Sequence, residues 1–97
     1  MSTKRSGAGA ASPPGHLPPA EAAVWVEILA RDPEAHMNGA ALEAFCGQVA
    51  RLREAQRRIA AEGLIIADPK GFPIPHPAIA IEKAAQAEIR AWGRWFR

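Results

Sequence analysis

Asp68-Pro69-Lys70-Gly71 is the feature that most limits what this chain can fold into. It meets the type I turn preferences with Asp first, Pro second and Gly fourth. The β-prone run Leu64-Ile65-Ile66-Ala67 precedes it, and Phe72 to His76 follows it. Together they predict a β-hairpin over residues 64–76. The returning strand carries Pro73 and Pro75, which cannot donate to a ladder. Alternate N–H groups of a strand point to opposite sides, so both prolines lack donors on the same edge. Phe72 and Ile74 remain able to bond inward. The result is an edge strand whose prolines discourage further pairing.

Both flanks of the hairpin read as helix. A first helix begins near Pro19, which suits a first turn, with Glu21 near the favourable end of the helix dipole. Val24, Trp25, Ile28 and Leu29 recur at helical spacing, and Asp32-Pro33 ends the helix. Asn38-Gly39 punctuates the connection, with Asn38 as the expected N-cap. The second helix runs to about Glu62. Its stripe is Leu42, Phe45, Val49, Leu52 and Ile59, and Ala55 and Gln56 sit near the remaining slot. Glu54 precedes Arg58 by four, the favourable order for a helical ion pair. Gly63 suits a left-handed C-cap. Pro77 starts the third helix, whose stripe is Ile81, Ala85, Ile89, Trp92 and Phe96. The fold class is therefore mainly α: two antiparallel helices, a small hairpin and a long C-terminal helix.

Residues 1–18, rich in Gly, Ala, Ser and Pro, cannot offset the entropy of ordering and read as a disordered arm. Residues 19–97 form a single helical domain of about 80 residues. A core of that size is marginal, and self-association is a natural way to bury more apolar surface. The 22 alanines favour close helix packing. No apolar run approaches the length of a membrane span, and no signal-peptide stretch follows Lys4 and Arg5. One cysteine, Cys46, permits no internal disulfide. A cytoplasmic setting with no membrane partner is the simplest expectation.

Charge is unevenly spread. Residues 21–46 carry five acids and one base, and residues 51–97 carry nine bases and five acids. An acidic first half and a basic second half suit head-to-tail association or a polyanion bound at one end.

Chemistry-bearing motifs are scarce. His16, His36, His76 and Cys46 lack metal-site spacing, and Cys46 reads as a small core hydrophobe. There is no phosphate loop, paired-carboxylate or Ser-His-Asp pattern, so no catalytic residue, metal or cofactor is expected. The basic residues form two groups. Arg51, Arg53, Arg57 and Arg58 cluster on the second helix. Lys83, Arg90, Arg94 and Arg97 share a face of the third. On spacing alone, a solvated face balanced by Glu54, Glu82 and Glu88 accounts for them better than phosphate contact does. Trp95 falls off the apolar stripe, and reads either as an interface residue or as cover for the core edge.

The order of these signals resembles a family of tailed-phage terminase small subunits. The matching pieces are Trp25, Asn38-Gly39-Ala40-Ala41-Leu42-Glu43, Arg51-Leu52-Arg53-Glu54-Ala55, Glu62-Gly63-Leu64-Ile65, Gly71, His76-Pro77-Ala78 and Ile89-Arg90-Ala91-Trp92-Gly93. They span about Leu17 to Gly93. Family members often place Asp at the Asn38 position and Asn at the His76 position. They usually continue past the last helix into a tail, whereas this sequence stops at Arg97. Its shortness would suit a reduced packaging system such as a gene-transfer agent.

The resemblance implies a non-enzymatic subunit of a DNA-packaging motor that assembles as a cyclic homo-oligomer. Its partners would be further copies of itself, double-stranded DNA held weakly and salt-sensitively, and the terminase large subunit, which carries the ATPase and nuclease. It also shifts the basic residues toward phosphate contact: Arg51, Arg53, Arg57, Arg58, Lys83, Arg90 and Arg94. Leu64, Ile66, Phe72, Ile74 and Trp95 are the expected oligomer contacts. The rival readings are a helical interaction adaptor without a nucleic-acid role and a small helix-turn-helix regulator. The second is disfavoured because the first two helices are acidic until Arg51.

Overall fold

A computed structural model describes residues 12–93, apart from the side chains of residues 36–38 and 93. Helix α1 spans Pro19–Arg31 with Pro at its start and Glu21 in its first turn. The Pro18 carbonyl accepts the Ala22 N–H at 2.9 Å and opens the helical ladder. Val24, Trp25, Ile28 and Leu29 are its buried face, as the periodicity predicts. Asp32 leaves helical geometry with φ −139° and ψ 83°. The cause is Pro33, whose ring disfavours a helical residue before it.

The connection is more regular than the sequence suggests. Pro33–Asn38 forms a 3-10 helix, closed at its start by the Ala35 N–H on the Asp32 carbonyl at 3.0 Å. Proline fixes the backbone angle that such a turn requires. The side chain of Asn38, the expected cap, lies outside the described residues. Helix α2 follows over Gly39–Glu62, 24 residues long. It ends at Gly63, whose N–H still bonds the Ile59 carbonyl at 2.7 Å and whose φ of 91° turns the following chain out of the helix.

Strands β1, Ile65–Ala67, and β2, Pro73–Pro75, pair antiparallel with Ile66 opposite Ile74. The turn between them is fastened at several points. The Gly71 N–H bonds the Asp68 carbonyl at 2.8 Å, and Asp68 Oδ1 accepts the N–H groups of Lys70 and Phe72. Gly71 has φ 90°, the left-handed residue that completes a three-residue hairpin loop. The His76 N–H bonds the Leu64 carbonyl at 2.7 Å. By alternation the Pro73 and Pro75 nitrogens face the outer edge, as the edge-strand argument requires. Helix α3 then covers Ala78–Gly93.

Helix α2 is the common partner, with α1 and the 3-10 helix on one part of it and α3 on another. The first contact is a core of Val24, Trp25, Ile28, Leu29, Ala35, Leu42 and Cys46, with Leu17, Phe45 and Val49 packed against it. Leu17 thus brings the end of the segment read as arm onto the core. Nearby, His16 Nε2 meets Glu43 Oε1 at 2.8 Å. The second contact is different in kind, because its buried apolar residues are Ala55, Ala78 and Ala85.

The expected α3 stripe needs one correction. Ile81 is 45% exposed, and Ala78 and Ala85 occupy the centre of the face. Alanine lets two helix backbones approach closely, and that approach displaces the bulkier Ile81 to the edge of the seam. Ile89 and Trp92 remain half-buried. Arg94, Trp95, Phe96 and Arg97 lie outside the described residues. No helix among the described residues is long and apolar enough to cross a membrane.

Candidate nucleic-acid interface

The four arginines of α2 differ sharply in their surroundings. Arg53 reaches across to α1 and grips Glu27 with two parallel bonds, Nη1 to Oε2 at 3.0 Å and Nη2 to Oε1 at 2.7 Å. Arg57 grips Glu54 through Nε at 3.0 Å and Nη2 at 2.6 Å. Arg58 Nε donates to the same carboxylate at 2.7 Å. These bonds hold the Glu54 carboxyl down at about 2, the hydrogen bonds from Arg57 and Arg58 being the main cause. The bond from Arg53 likewise lowers Glu27, and the carboxylates in turn raise Arg53 and Arg57.

Arg51, Lys83 and Arg90 are exposed and make no ion pair among the described residues. Lys83 and Arg90 are seven residues apart, so α3 presents them on one face. Of the seven cations expected at an interface, three are therefore held by carboxylates, three stand unpaired, and Arg94 lies outside the described residues. The Glu54–Arg58 pair is legible in the sequence. The Glu27–Arg53 pair is not, because 26 residues separate its members and only the packing of α1 on α2 joins them.

A groove of about 760 Å³ opens beside these arginines. Arg51, Glu54, Arg58, Ala50 and Ala55 of α2 line it. Ile66 of the hairpin and Ala78 and Ile81 of α3 close the far end. Glu21 of α1 enters at the other, its carboxylate 3.7 Å from where a Cβ on Gly47 would stand.

His76 fixes the hairpin end of this groove, in a capping role that the sequence analysis does not assign to it. It is 7% exposed. Its Nδ1 accepts the Ala78 N–H at 2.9 Å, so it caps α3 in the role usually filled by Asn, Asp, Ser or Thr. Because Nδ1 accepts, the proton belongs on Nε2, which donates to Glu62 Oε1 at 2.6 Å. One imidazole thus ties the end of α2 to the start of α3. The signal was available: His76 precedes Pro77-Ala78, where a helix begins and needs a cap.

The hairpin also leaves large apolar side chains in solvent. Leu64 and Phe72 are each 62% exposed and Ile65 59%, while Ile66 and Ile74 are half-buried. Of the expected oligomer contacts, four therefore stand on the hairpin, and Trp95 lies outside the described residues. No cluster of three or more His, Cys, Asp or Glu suited to a metal occurs among the described residues.

Residues 23–96 match the family model described as phage terminase, small subunit. No curated protein and no solved structure matches the chain. The family match spans well over half of the sequence, from within α1 through the hairpin and α3. The chain belongs to the phage terminase small-subunit family, and its role lies in DNA packaging.

Proposed function

We propose that this protein is the non-catalytic small subunit of a phage or phage-like packaging motor, assembling as a closed ring of identical subunits, engaging double-stranded DNA weakly and recruiting the large ATPase-nuclease subunit. The match of residues 23–96 to the small-subunit family carries the reading. The charge arrangement supports its DNA arm. Arg51, Lys83 and Arg90 are available for phosphates, whereas Arg53, Arg57 and Arg58 must first give up a carboxylate. A few available cations per subunit give little affinity singly, but repetition around a ring multiplies them. Contacts of this kind position DNA without reading its sequence.

Ring closure calls for a heterologous contact, in which two different patches of the subunit meet. The exposed hairpin residues Leu64 and Phe72 supply apolar area, with Ile66 and Ile74 beside them and Trp95 as the expected contact beyond α3. The acidic first half and basic second half suit the same head-to-tail arrangement. Reversing charge at Arg57 and Arg58 then weakens assembly at low salt, and an unchanged assembly would remove the electrostatic part.

DNA binding is tested by fluorescence anisotropy on a labelled duplex over a salt series. Affinity falls steeply between about 50 and 200 mM salt, with a log–log slope near −0.9 per phosphate contacted. Replacing Arg51, Lys83 and Arg90 with Gln flattens the slope more than replacing Arg53 alone. No binding at the lowest salt would leave an adaptor without a nucleic-acid role.

A further inference from the structure

The groove beside α2 and the aromatic segment after α3 fit together as two halves of one contact. At the hairpin end of the groove Ala55, Ile66, Ala78 and Ile81 offer apolar surface beside Glu62 and His76, and Ile81 is left 45% exposed there by the chain's described residues. Its charge is acidic once pairs are discounted. Arg58 is held by Glu54 at 2.7 Å, which leaves Glu21 and Glu62 against Arg51. The segment Arg94-Trp95-Phe96-Arg97 has the complementary chemistry, two large aromatics between two cations. Trp95 is the member free to serve, because at roughly 100° of arc per residue it falls well off the Ile89, Trp92 and Phe96 stripe.

Reach decides which copy supplies the segment. Ile81 lies twelve residues before Gly93 on α3, about 18 Å along the axis at 1.5 Å per residue. Trp95 lies two residues beyond Gly93, at most about 7 Å even in a fully extended chain turned straight back. The shortfall exceeds the length of an indole side chain. A molecule cannot fill the hairpin end of its own groove with its own Trp95.

We infer that the Arg94–Arg97 segment of a second copy docks in this groove, with Trp95 seated between Ile66, Ala55 and Ile81 and the flanking arginines facing Glu21 and Glu62. The groove has room for an indole and its neighbours at about 760 Å³. Arg51 and Arg58 also line the groove, and a guanidinium can lie over an aromatic face. A buried tryptophan in an apolar pocket is the kind of anchor that dominates interfaces. The contact joins two different surfaces, so each subunit offers one groove and one segment, and repetition propagates around a ring. The inference rests on the ring reading and names its contact.

The test uses the full chain with Trp95→Ala and Ile81→Arg, each variant first shown by far-UV circular dichroism to keep wild-type helicity. Mass is read by light scattering coupled to size exclusion. The wild type runs as a multi-subunit assembly and each variant alone as a monomer. An equimolar mixture of the two doubles the mass and stops there, because Trp95→Ala keeps an intact groove and Ile81→Arg keeps an intact segment. A monomeric wild type overturns both this contact and the ring. A wild-type assembly that either substitution leaves intact overturns the contact alone. Two helical, monomeric variants that fail to pair also overturn it, since their one complementary interface would still be present.

Discussion

Around the start of α2 the large apolar side chains point inward, and around its end they point outward. Val24, Trp25, Ile28, Leu29 and Leu42 fill the first region, with Leu42 and Cys46 fully buried. At the hairpin end the buried apolar residues are alanines, while Leu64, Ile65, Phe72 and Ile81 are exposed. The chain has the residues to build two cores and completes one. Stability of the isolated subunit therefore belongs to the α1–α2 end, and the hairpin end holds apolar surface for contact with another molecule.

The largest expected effect would break this comparison if it failed. Leu42→Ala removes a fully buried side chain and costs about 2–5 kcal/mol in urea unfolding of the monomer. Phe72→Ala removes a larger side chain, yet changes monomer stability by no more than about 0.5 kcal/mol. Its effect is instead a loss of assembly in light scattering. Equal costs for the two in the monomer would mean that the hairpin end belongs to the same core.

His76 sharpens the comparison, because among the described residues it is the one well-buried polar group at the loosely packed end. His76→Ala leaves the Ala78 N–H without its acceptor and costs about 1–3 kcal/mol. His76→Asn keeps a capping acceptor and loses only the exposed partner Glu62, so it recovers most of that cost. Amide hydrogen exchange at Ala78 separates the two: fast in the Ala variant, slow in the Asn variant. If both variants behaved alike, the imidazole would matter for its volume and not for its cap.

Cys46 reports on the opposite end. Burial, with smaller contributions from Glu21 and Glu43, pushes its thiol up to about 11, so the reactive thiolate is scarce at neutral pH. Labelling by a thiol reagent is thus expected to be slow and to follow opening of the α1–α2 core. Leu42→Ala accelerates it and Phe72→Ala does not. Fast labelling of the native wild type would show that the α1–α2 core opens readily.

What the sequence made legible follows the range of the interactions. The α1 face, the Gly63 cap, the Asp68-Pro69-Lys70-Gly71 turn and the proline edge are set by residues within a few positions of each other, and local preference suffices to place them. The Arg53–Glu27 bridge and the groove depend on how helices meet in space. Ile81 shows the limit within a single helix. Period alone assigned it to the buried stripe, but the alanines at 78 and 85 let α3 pack closely and rotate that isoleucine to the rim. At the candidate interface the positions of the cations were legible and their pairing was only half so, because Glu54 lies within one helical turn of Arg57 and Arg58 while Glu27 does not.

The smallest expected effect concerns that pairing. Glu54 is depressed to about 2, chiefly by the bonds from Arg57 and Arg58. A carboxylate lowered on folding stabilises the native state fully above its ordinary value of 4.5, and the contribution is lost as pH falls toward 2. Both sides of the pair are exposed, so water screens it and the loss is shallow. Glu54→Gln therefore flattens the acid limb of the stability profile between pH 4.5 and 2 and lowers stability at pH 7 by the same small amount. The same substitution releases Arg57 and Arg58. If those arginines lie on the DNA path, affinity rises at low salt and the log–log salt slope steepens by up to about 2. If the slope stays unchanged while the acid limb flattens, the pair serves α2 alone, and phosphate contact rests on Arg51, Lys83 and Arg90.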